Sequence, residues 1–230
     1  MKRKLLATIL VCSTVLLLGC GNKTSEEQAT NTIEYDESYI SEVESYDYSM
    51  IYEEGKSTDC LYLGAPQMFQ QDFSDVTVGS SNIGISGNLI TSLCIIESAY
   101  TYEWMTPDVF ITKYSSLISG NGVVDIESFG KQLLGDEEFS CETFDFAKMC
   151  TSVKDSHVVL VKINHPSIYG SNIHYIVVTG VTMEGYLNCR ESDRNNVESL
   201  AIYYEDSGEV LYNIYSLAEA IGSSGTMYIF

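Results

Sequence analysis

The stretch that decides the fold runs from Ser80 to Phe110 and reads SSNIGISGNLITSLCIIESAYTYEWMTPDVF. Small turn-forming residues come first, and apolar side chains then recur at helical spacing, at Leu89, Leu93, Ile96 and Tyr100. The pattern predicts a tight turn that opens an amphipathic helix at Asn88. Enzymes can place a nucleophile at such a turn, because the partial positive charge of a helix N-terminus stabilises an anion there. An asparagine occupies that position in this chain.

Three further segments in the first half of the chain have helix signals. In TPDVFITKYSSLI, Thr106 is a predicted N-cap and Pro107 takes the first helical position. In DIESFGKQLLG, Asp125 and Ser128 are candidate starts and Gly135 is a predicted stop. The segment ETFDFAKMCTSV predicts a fourth, shorter helix.

The second half of the chain has the pattern of strands. HVVLVKIN and IHYIVVTGV are apolar runs, and GYLNCRES is the predicted hairpin partner of the second run across TMEG. SLAIYYED, GEVLYNIY and GTMYIF continue the series, with a short helix predicted in SLAEAIGSSG. Helices followed by an antiparallel sheet predict an α+β fold.

The composition excludes several classes of partner. The 230 residues carry a formal net charge of −20, and 45% of them are hydrophobic, which is enough for a core. Nucleic acid is not expected as a partner, because phosphate binding needs clustered Lys and Arg. The spacing of Cys and His predicts no zinc site, and we predict no cofactor and no metal. The sequence leaves the oligomeric state open.

The N-terminal segment has the layout of a secretory signal. MKRK is basic, LLATILVCSTVLLL is apolar, and GCGNKTSEEQ then turns small and polar. The residues LLGC resemble the lipobox of bacterial lipoproteins, and this resemblance implies cleavage before Cys20 and diacylation of its sulfur. An uncleaved anchor is the alternative, but the apolar run is short for a bilayer span of about 20 residues. We therefore expect a protein attached to membrane lipid through Cys20, on the extracytoplasmic face of the cell membrane.

The sequence divides into three predicted regions: a signal peptide over 1–19, a lipidated acidic tether over 20–55 and one folded domain over 56–230. High charge and low hydrophobicity in the second region are typical of disorder. A flexible coil of that length would hold the domain roughly 30 Å from the membrane. Alternatively, its Tyr-rich part, over 35–52, is a strand or an arm laid on the domain.

The cysteines predict no disulfide framework. Cys12 leaves with the signal and Cys20 is the lipidation site, so five remain: Cys60, Cys94, Cys141, Cys150 and Cys189. An odd number cannot all pair. These side chains are predicted to be small buried apolar groups, with or without one disulfide, and the pairing stays open.

Six segments resemble, in the correct order, the papain-fold cysteine peptidases of the bacteriocin-processing type, over roughly Leu61 to Phe230. APQMFQQDF resembles the opening Gln-x-Asp element, and NIGISGN resembles the turn that ends in Ser-Gly-Cys. WMTPDVF resembles the Thr-Pro of the second helix, and SHVVLVKI the strand before the catalytic His. GSNIHYIVVTGV resembles the Gly-His strand, and EGYLNCRES the strand that ends in Asn-Asp-Pro. The resemblance implies a papain-like fold, with a helical N-terminal half and a C-terminal antiparallel sheet.

The resemblance also implies that two groups of the family's chemistry are present. Gln70 matches the side chain that donates to the oxyanion, and Gln71 is the alternative if the register slips by one residue. His174 matches the imidazole that takes the proton of the nucleophile.

The other two positions depart from the family. Asn88 stands where the family has its nucleophilic cysteine, and an amide cannot replace a thiolate. Arg190 stands where the family has the residue that orients the imidazole; a one-residue slip offers Cys189 or Glu191 instead. The resemblance therefore implies a degenerate catalytic site.

Two other side chains are candidate substitute nucleophiles. Cys94 lies six residues along the helix, about 9 Å away and on a different face, among apolar neighbours. Ser86 precedes the helix and lacks the position at its first turn. Neither is predicted to act, and His157 and His165 are predicted to be surface residues.

Three functional hypotheses follow. The first is a degenerate papain-fold lipoprotein that binds peptide or cell-envelope material without cleaving it. The second is an active cysteine-peptidase-like hydrolase with an unrecognised nucleophile. The third is an unrelated surface lipoprotein with a structural or adhesive role. The resemblance favours the first.

Overall fold

The computed structural model describes residues 65–163, 173–181, 186–195, 201–204, 209–213 and 225–230. Within them, helices occupy the first half and an antiparallel sheet the second, which confirms the predicted α+β class. The predicted signal peptide, Cys20, the tether, His165 and nearly all of the SLAEAIGSSG helix lie outside these residues. No helix among the described residues is long and apolar enough to cross a membrane.

Three helices begin where the sequence predicts a start, at Asn88, at Pro107 and just after Asp125. The α-helices are α1 (Ile83–Ser86), α2 (Asn88–Thr101), α3 (Pro107–Lys113), α4 (Ile126–Leu134) and α5 (Phe146–Lys154). The Asp125 carboxylate accepts a hydrogen bond from the Ser128 N–H at 3.0 Å and so caps α4, which ends at Gly135. Thr106 precedes α3, but its hydroxyl donates to the Asp108 side chain rather than capping the backbone.

The strands form a two-stranded hairpin and a seven-stranded antiparallel sheet. The hairpin is β1 (Thr77–Val78) with β2 (Ser81–Asn82). The sheet contains β3 (Ser140–Thr143), β4 (Val159–Ile163), β5 (His174–Val181), β6 (Tyr186–Arg190), β7 (Ala201–Tyr204), β8 (Glu209–Asn213) and β9 (Thr226–Ile229). Their order is β3-β9-β4-β5-β6-β8-β7.

The prediction of one helix throughout ETFDFAKMCTSV is wrong at its start. The side chain of Asp145 accepts from the Lys148 N–H at 2.8 Å, so α5 begins only at Phe146. The residues before this cap belong to β3, which pairs with β9 at the edge of the sheet.

The central strands are buried on both faces. Leu160, Val177 and Phe230 belong to the same apolar cluster as Leu93 and Ile95 of α2. Residues at the alternate positions of these strands, such as Val159, Val178 and Met227, are also fully buried and point to the opposite face. Helix α5 contacts the same strands. The sheet is therefore covered by helices, and α2 is fixed against β5.

Helix α2 is more deeply buried than its amphipathic pattern predicts. All ten residues from Ile90 to Ala99 are buried, including the polar Thr91, Ser92 and Glu97. Helix α2 packs against β5, α1 and α3, so neighbours cover its polar stripe as well as its apolar stripe. This packing fixes the position of its first residue, Asn88.

Candidate functional site

A cleft of about 590 Å³ lies where the N-terminus of α2 meets the first residues of β5. The side towards the helices is formed by Gln70, Ile85, Ser86, Asn88 and Leu89, and the remaining lining residues are Ile173, His174, Tyr175 and Asp193. Three of the four predicted site residues, Gln70, Asn88 and His174, therefore line one cleft. They come together although Asn88 and His174 belong to different halves of the chain.

Asn88 is the first residue of α2 and connects the helix to β5. Its Oδ1 accepts from the Tyr175 N–H at 2.7 Å, and its Nδ2 donates to the Tyr175 carbonyl at 3.1 Å. The carboxamide thus pairs with both main-chain polar groups of one residue of the strand, as a neighbouring antiparallel strand would. The amide is therefore bonded to the backbone of the residue that follows His174.

Ser192 completes the connection. The Asn88 Nδ2 also donates to the Ser192 Oγ at 2.7 Å, and that hydroxyl donates to the Asn88 carbonyl at 3.1 Å. Ser192 is fully buried, so its hydroxyl needs such partners. The first turn of α2 is therefore bonded to the start of β5 and to the residues that follow β6.

His174 and Glu191 form a buried pair behind the cleft. The Nε2 of His174 lies 2.7 Å from Glu191 Oε2. His174 is 5% exposed and Glu191 is 0% exposed. The other carboxylate oxygen, Oε1, accepts from the Asp193 N–H at 2.7 Å. These contacts fix the orientation of the imidazole, which is the function that a catalytic base requires of its partner residue.

A β-bulge explains why Glu191 reaches the ring. The pairing of β5 with β6 shifts by one residue just after Val178. On the His174 side of this bulge, Val178 lies opposite Cys189, and alternation along the strand places Glu191 on the His174 face. Without the bulge, the register in which Gly180 lies opposite Asn188 would continue back towards His174. Arg190 would then share the His174 face instead of Glu191.

The assignment of Arg190 to the residue that orients the imidazole is therefore wrong. Arg190 lies opposite Val177, on the sheet face that packs against α2, and is 1% exposed. Its Nε donates to the Ala65 carbonyl at 2.8 Å, and its Nη1 donates to the Asn188 side-chain oxygen at 2.8 Å. Arg190 thus joins the start of the described domain to β6.

Gln70 lines the cleft, whereas Gln71 is not among its lining residues. The Nε2 of Gln70 donates to the Gly84 carbonyl at 3.3 Å. Its Oε1 is buried and has no hydrogen-bond partner within the described part of the chain. Gln71 instead donates to the Asp193 carboxylate at 2.6 Å. Of the two candidate oxyanion donors, Gln70 is the one that lines the cleft.

The described thiols do not replace a nucleophile at position 88. Cys94 is fully buried within α2 and does not line the cleft, and burial raises the pKa of its thiol. Burial also raises the pKa values of Cys150 and Cys189. Cys141 is exposed, so the prediction that it is buried is wrong, although partial desolvation still raises the pKa of its thiol; all of these described thiols are free. Thiols that stay protonated at neutral pH are poor nucleophiles.

The remaining polar groups near the cleft have structural partners or neutral forms. Ser86 is exposed, and its hydroxyl donates to the Asn82 carbonyl at 3.2 Å. Burial raises the pKa of Tyr175 to about 12, so its phenol stays protonated.

His157, predicted at the surface, is half-buried, with Nδ1 2.9 Å from the Phe230 carbonyl oxygen. Among the described residues, no cluster of three His, Cys, Asp or Glu could hold a metal ion.

Sequence reasoning missed the partners of the Asn88 side chain. The Tyr175 bonds go to main-chain atoms, which carry no sequence signal, and Ser192 is one serine among many. No protein-family model matches the chain, and no curated protein matches it.

Proposed function

We propose that this chain is a lipid-anchored, cysteine-peptidase-like protein whose papain-like domain binds peptide or cell-envelope ligands in the cleft and does not cleave them. The anchor is the acylated Cys20, on the extracytoplasmic face of the membrane. The cleft is the site at which a related peptidase would hold its substrate. An active hydrolase and an unrelated structural lipoprotein are the competing functions.

The observation that carries this proposal is the His174–Glu191 pair. It lies at the cleft that is also lined by Asn88, the first residue of α2. The two side chains are buried and 2.7 Å apart. In this arrangement a carboxylate orients an imidazole near a helix N-terminus. The imidazole and the helix N-terminus would together stabilise a thiolate placed between them. A structural or adhesive protein has no need of this arrangement.

The absence of cleavage follows from Asn88. An amide has neither a removable proton nor a nucleophilic lone pair. Its oxygen and nitrogen are already bonded to Tyr175 and Ser192. The cleft can therefore hold a chain segment, but its nucleophile position is occupied by a side chain that binds the protein itself.

Placing a thiol at position 88 tests the proposed catalytic ancestry. In the Asn88→Cys variant, the helix N-terminus and His174 should lower the pKa of the introduced thiol well below the ordinary value of about 8.5. The matched control is Ser80→Cys, an exposed position outside the cleft, where the pKa should stay ordinary. The pH dependence of alkylation, with the wild-type rate subtracted, gives both values. Equal pKa values in the two variants would argue against a peptidase-like site.

Binding without cleavage is tested with a pool of labelled peptides. The wild-type protein should retain part of the pool, and mass spectrometry should recover every peptide intact. Ser86→Trp fills the cleft and should abolish binding, whereas Ser80→Trp should not. If the wild-type protein produces peptide fragments and the His174→Ala variant does not, the protein is instead an active hydrolase.

The anchor is tested separately from the cleft. The LLGC segment implies diacylation of Cys20, so Cys20→Ala should remove the labelling of the protein by a fatty-acid analogue and release it from the membrane fraction. Unchanged labelling would refute the lipoprotein assignment and leave the assignment of the cleft untouched.

A further inference from the structure

Two exposed isoleucines stand at the cleft. Ile85 of α1 is 76% exposed, and Ile173, just before β5, is 48% exposed. Both line the cleft, one on the helical side and one on the strand side. Exposed apolar side chains grouped around a concave surface are typical of a binding site rather than of an ordinary protein surface.

The same cleft carries one acidic side chain, Asp193, and neither Lys nor Arg among its described lining residues. Asp193 lines it and is half-buried, and its Oδ1 already accepts from Gln71 and from the Asn195 N–H. The neighbouring Arg194 does not offset this charge at the cleft. Its Nη2 lies 3.1 and 3.2 Å from the two Asp72 carboxylate oxygens, and its guanidinium lies over the Phe69 ring at 4.4 Å.

Gln70 adds a hydrogen-bond acceptor that has no donor partner among the described residues. Its buried Oε1 has no hydrogen-bond partner in the described part of the chain. A buried acceptor left unpaired is unfavourable, so a ligand that supplies an N–H gains more at this position than one that supplies a second acceptor.

We propose that the cleft, if it binds peptides as proposed above, selects cationic amphipathic segments in which an aliphatic side chain lies next to a Lys or Arg. The aliphatic side chain packs between Ile85 and Ile173. The basic side chain extends towards Asp193. The net charge of −20 attracts such a peptide from solution and repels an acidic one.

Four labelled peptides of equal length test the proposal on the full chain by fluorescence anisotropy. They contain Leu-Lys, Leu-Glu, Leu-Gln or Ala-Lys in an otherwise identical Gly/Ser background. At low salt the Leu-Lys peptide should bind about tenfold more tightly than the Leu-Glu peptide and severalfold more tightly than the Ala-Lys peptide. Its advantage over Leu-Glu should shrink when salt screens the charges.

Variants separate the two contributions. Ile85→Ser and Ile173→Ser should each weaken the Leu-Lys peptide by about fivefold and leave the Ala-Lys peptide almost unchanged. Asp193→Asn keeps the acceptor oxygen used by Gln71 and should reduce the preference for Leu-Lys over Leu-Gln by about two- to fivefold. Matched controls outside the cleft are Val109→Ser, at an exposed valine, and Asp136→Asn, at an exposed acid; neither should change any affinity.

The outcomes are distinct. Equal binding of Leu-Lys and Leu-Glu would overturn this inference and leave the proposed peptide-binding function standing. Ala-Lys binding as tight as Leu-Lys, unaffected by Ile85→Ser and Ile173→Ser, would mean adsorption to the acidic surface and would also overturn the inference. Binding of no peptide by the wild-type chain would overturn the proposed function itself.

Discussion

Replacing Asn88 with alanine should separate α2 from β5 at one defined point. The substitution removes the two hydrogen bonds to the Tyr175 backbone, at 2.7 and 3.1 Å, and the bond to the Ser192 hydroxyl at 2.7 Å. The backbone of position 88 keeps the bond that Ser192 donates to its carbonyl. The perturbation is therefore confined to the carboxamide.

The expected loss follows from these contacts. Three hydrogen bonds at a net 0.5–1.5 kcal/mol each give an upper limit of about 4.5 kcal/mol. Asn88 and Tyr175 are only half-buried, so water replaces part of the loss, and alanine regains about 0.5 kcal/mol through its helix propensity. We expect the free energy of unfolding to fall by about 1.5–2.5 kcal/mol and Tm to fall by about 3–10 °C.

Urea unfolding followed by far-UV circular dichroism measures this value. The matched control is Asn195→Ala, an exposed asparagine with no side-chain hydrogen bond among the described contacts, which should stay within about 0.5 kcal/mol of wild type. A double-mutant cycle with Ser192→Ala should give a coupling energy above about 0.5 kcal/mol. If Asn88→Ala proves as stable as Asn195→Ala, the carboxamide does not hold α2 to β5 and our account of position 88 is refuted.

Three further predictions concern other parts of the domain. Lys113→Met should lower the free energy of unfolding by about 2–4 kcal/mol, because the fully buried Glu97 loses the ammonium group 2.5 Å from its carboxylate. The Tyr114 hydroxyl, at 3.0 Å, remains as a partner. Urea unfolding measures the loss, and Lys113→Arg should recover most of it. Asp125→Ala should cost about 1 kcal/mol at neutral pH. Hydrogen bonds from Ser128 lower the pKa of Asp125, so this difference should persist above about pH 4 and vanish as the pH falls through the folded-state pKa; unfolding curves that differ equally at pH 7 and pH 2 would contradict it. Among the described thiols, iodoacetamide should label the exposed Cys141 first, and mass spectrometry of the native protein should find three buried thiols protected: Cys94, Cys150 and Cys189.

The sequence predicted the elements that carry strong local signals. The start of α2 at Asn88, the Asp125 cap and the central strands follow from periodicity and from capping residues. The edge strand β3 could not be found in this way, because its four residues, SCET, carry no apolar alternation in the sequence that would separate a strand from the helix that follows.

The candidate site could be predicted in position but not in detail. Gln70 and His174 line the cleft as expected. The sequence left the partner of His174 open, with Arg190 favoured and Cys189 and Glu191 as alternatives. The choice depends on a single bulge in β5, because one extra residue changes which side chain at the end of β6 faces the ring. The Asn88 contacts were equally hidden, since main-chain partners leave no trace in the sequence.

The two sides of the cleft are under different physical constraints. Asn88 contributes to stability through its bonds to Tyr175, so its presence is explained without any ligand. The His174–Glu191 pair is not explained in this way. Its neighbours on the same face, such as Val178, are apolar and fully buried, and a well-packed apolar pair in place of a buried ionisable pair is often neutral or stabilising. Packing alone does not require this pair, and its place beside the cleft agrees with the ligand binding proposed above. Under that proposal, recognition is kept in the cleft while Asn88, at the proposed position of the nucleophile, stabilises the fold.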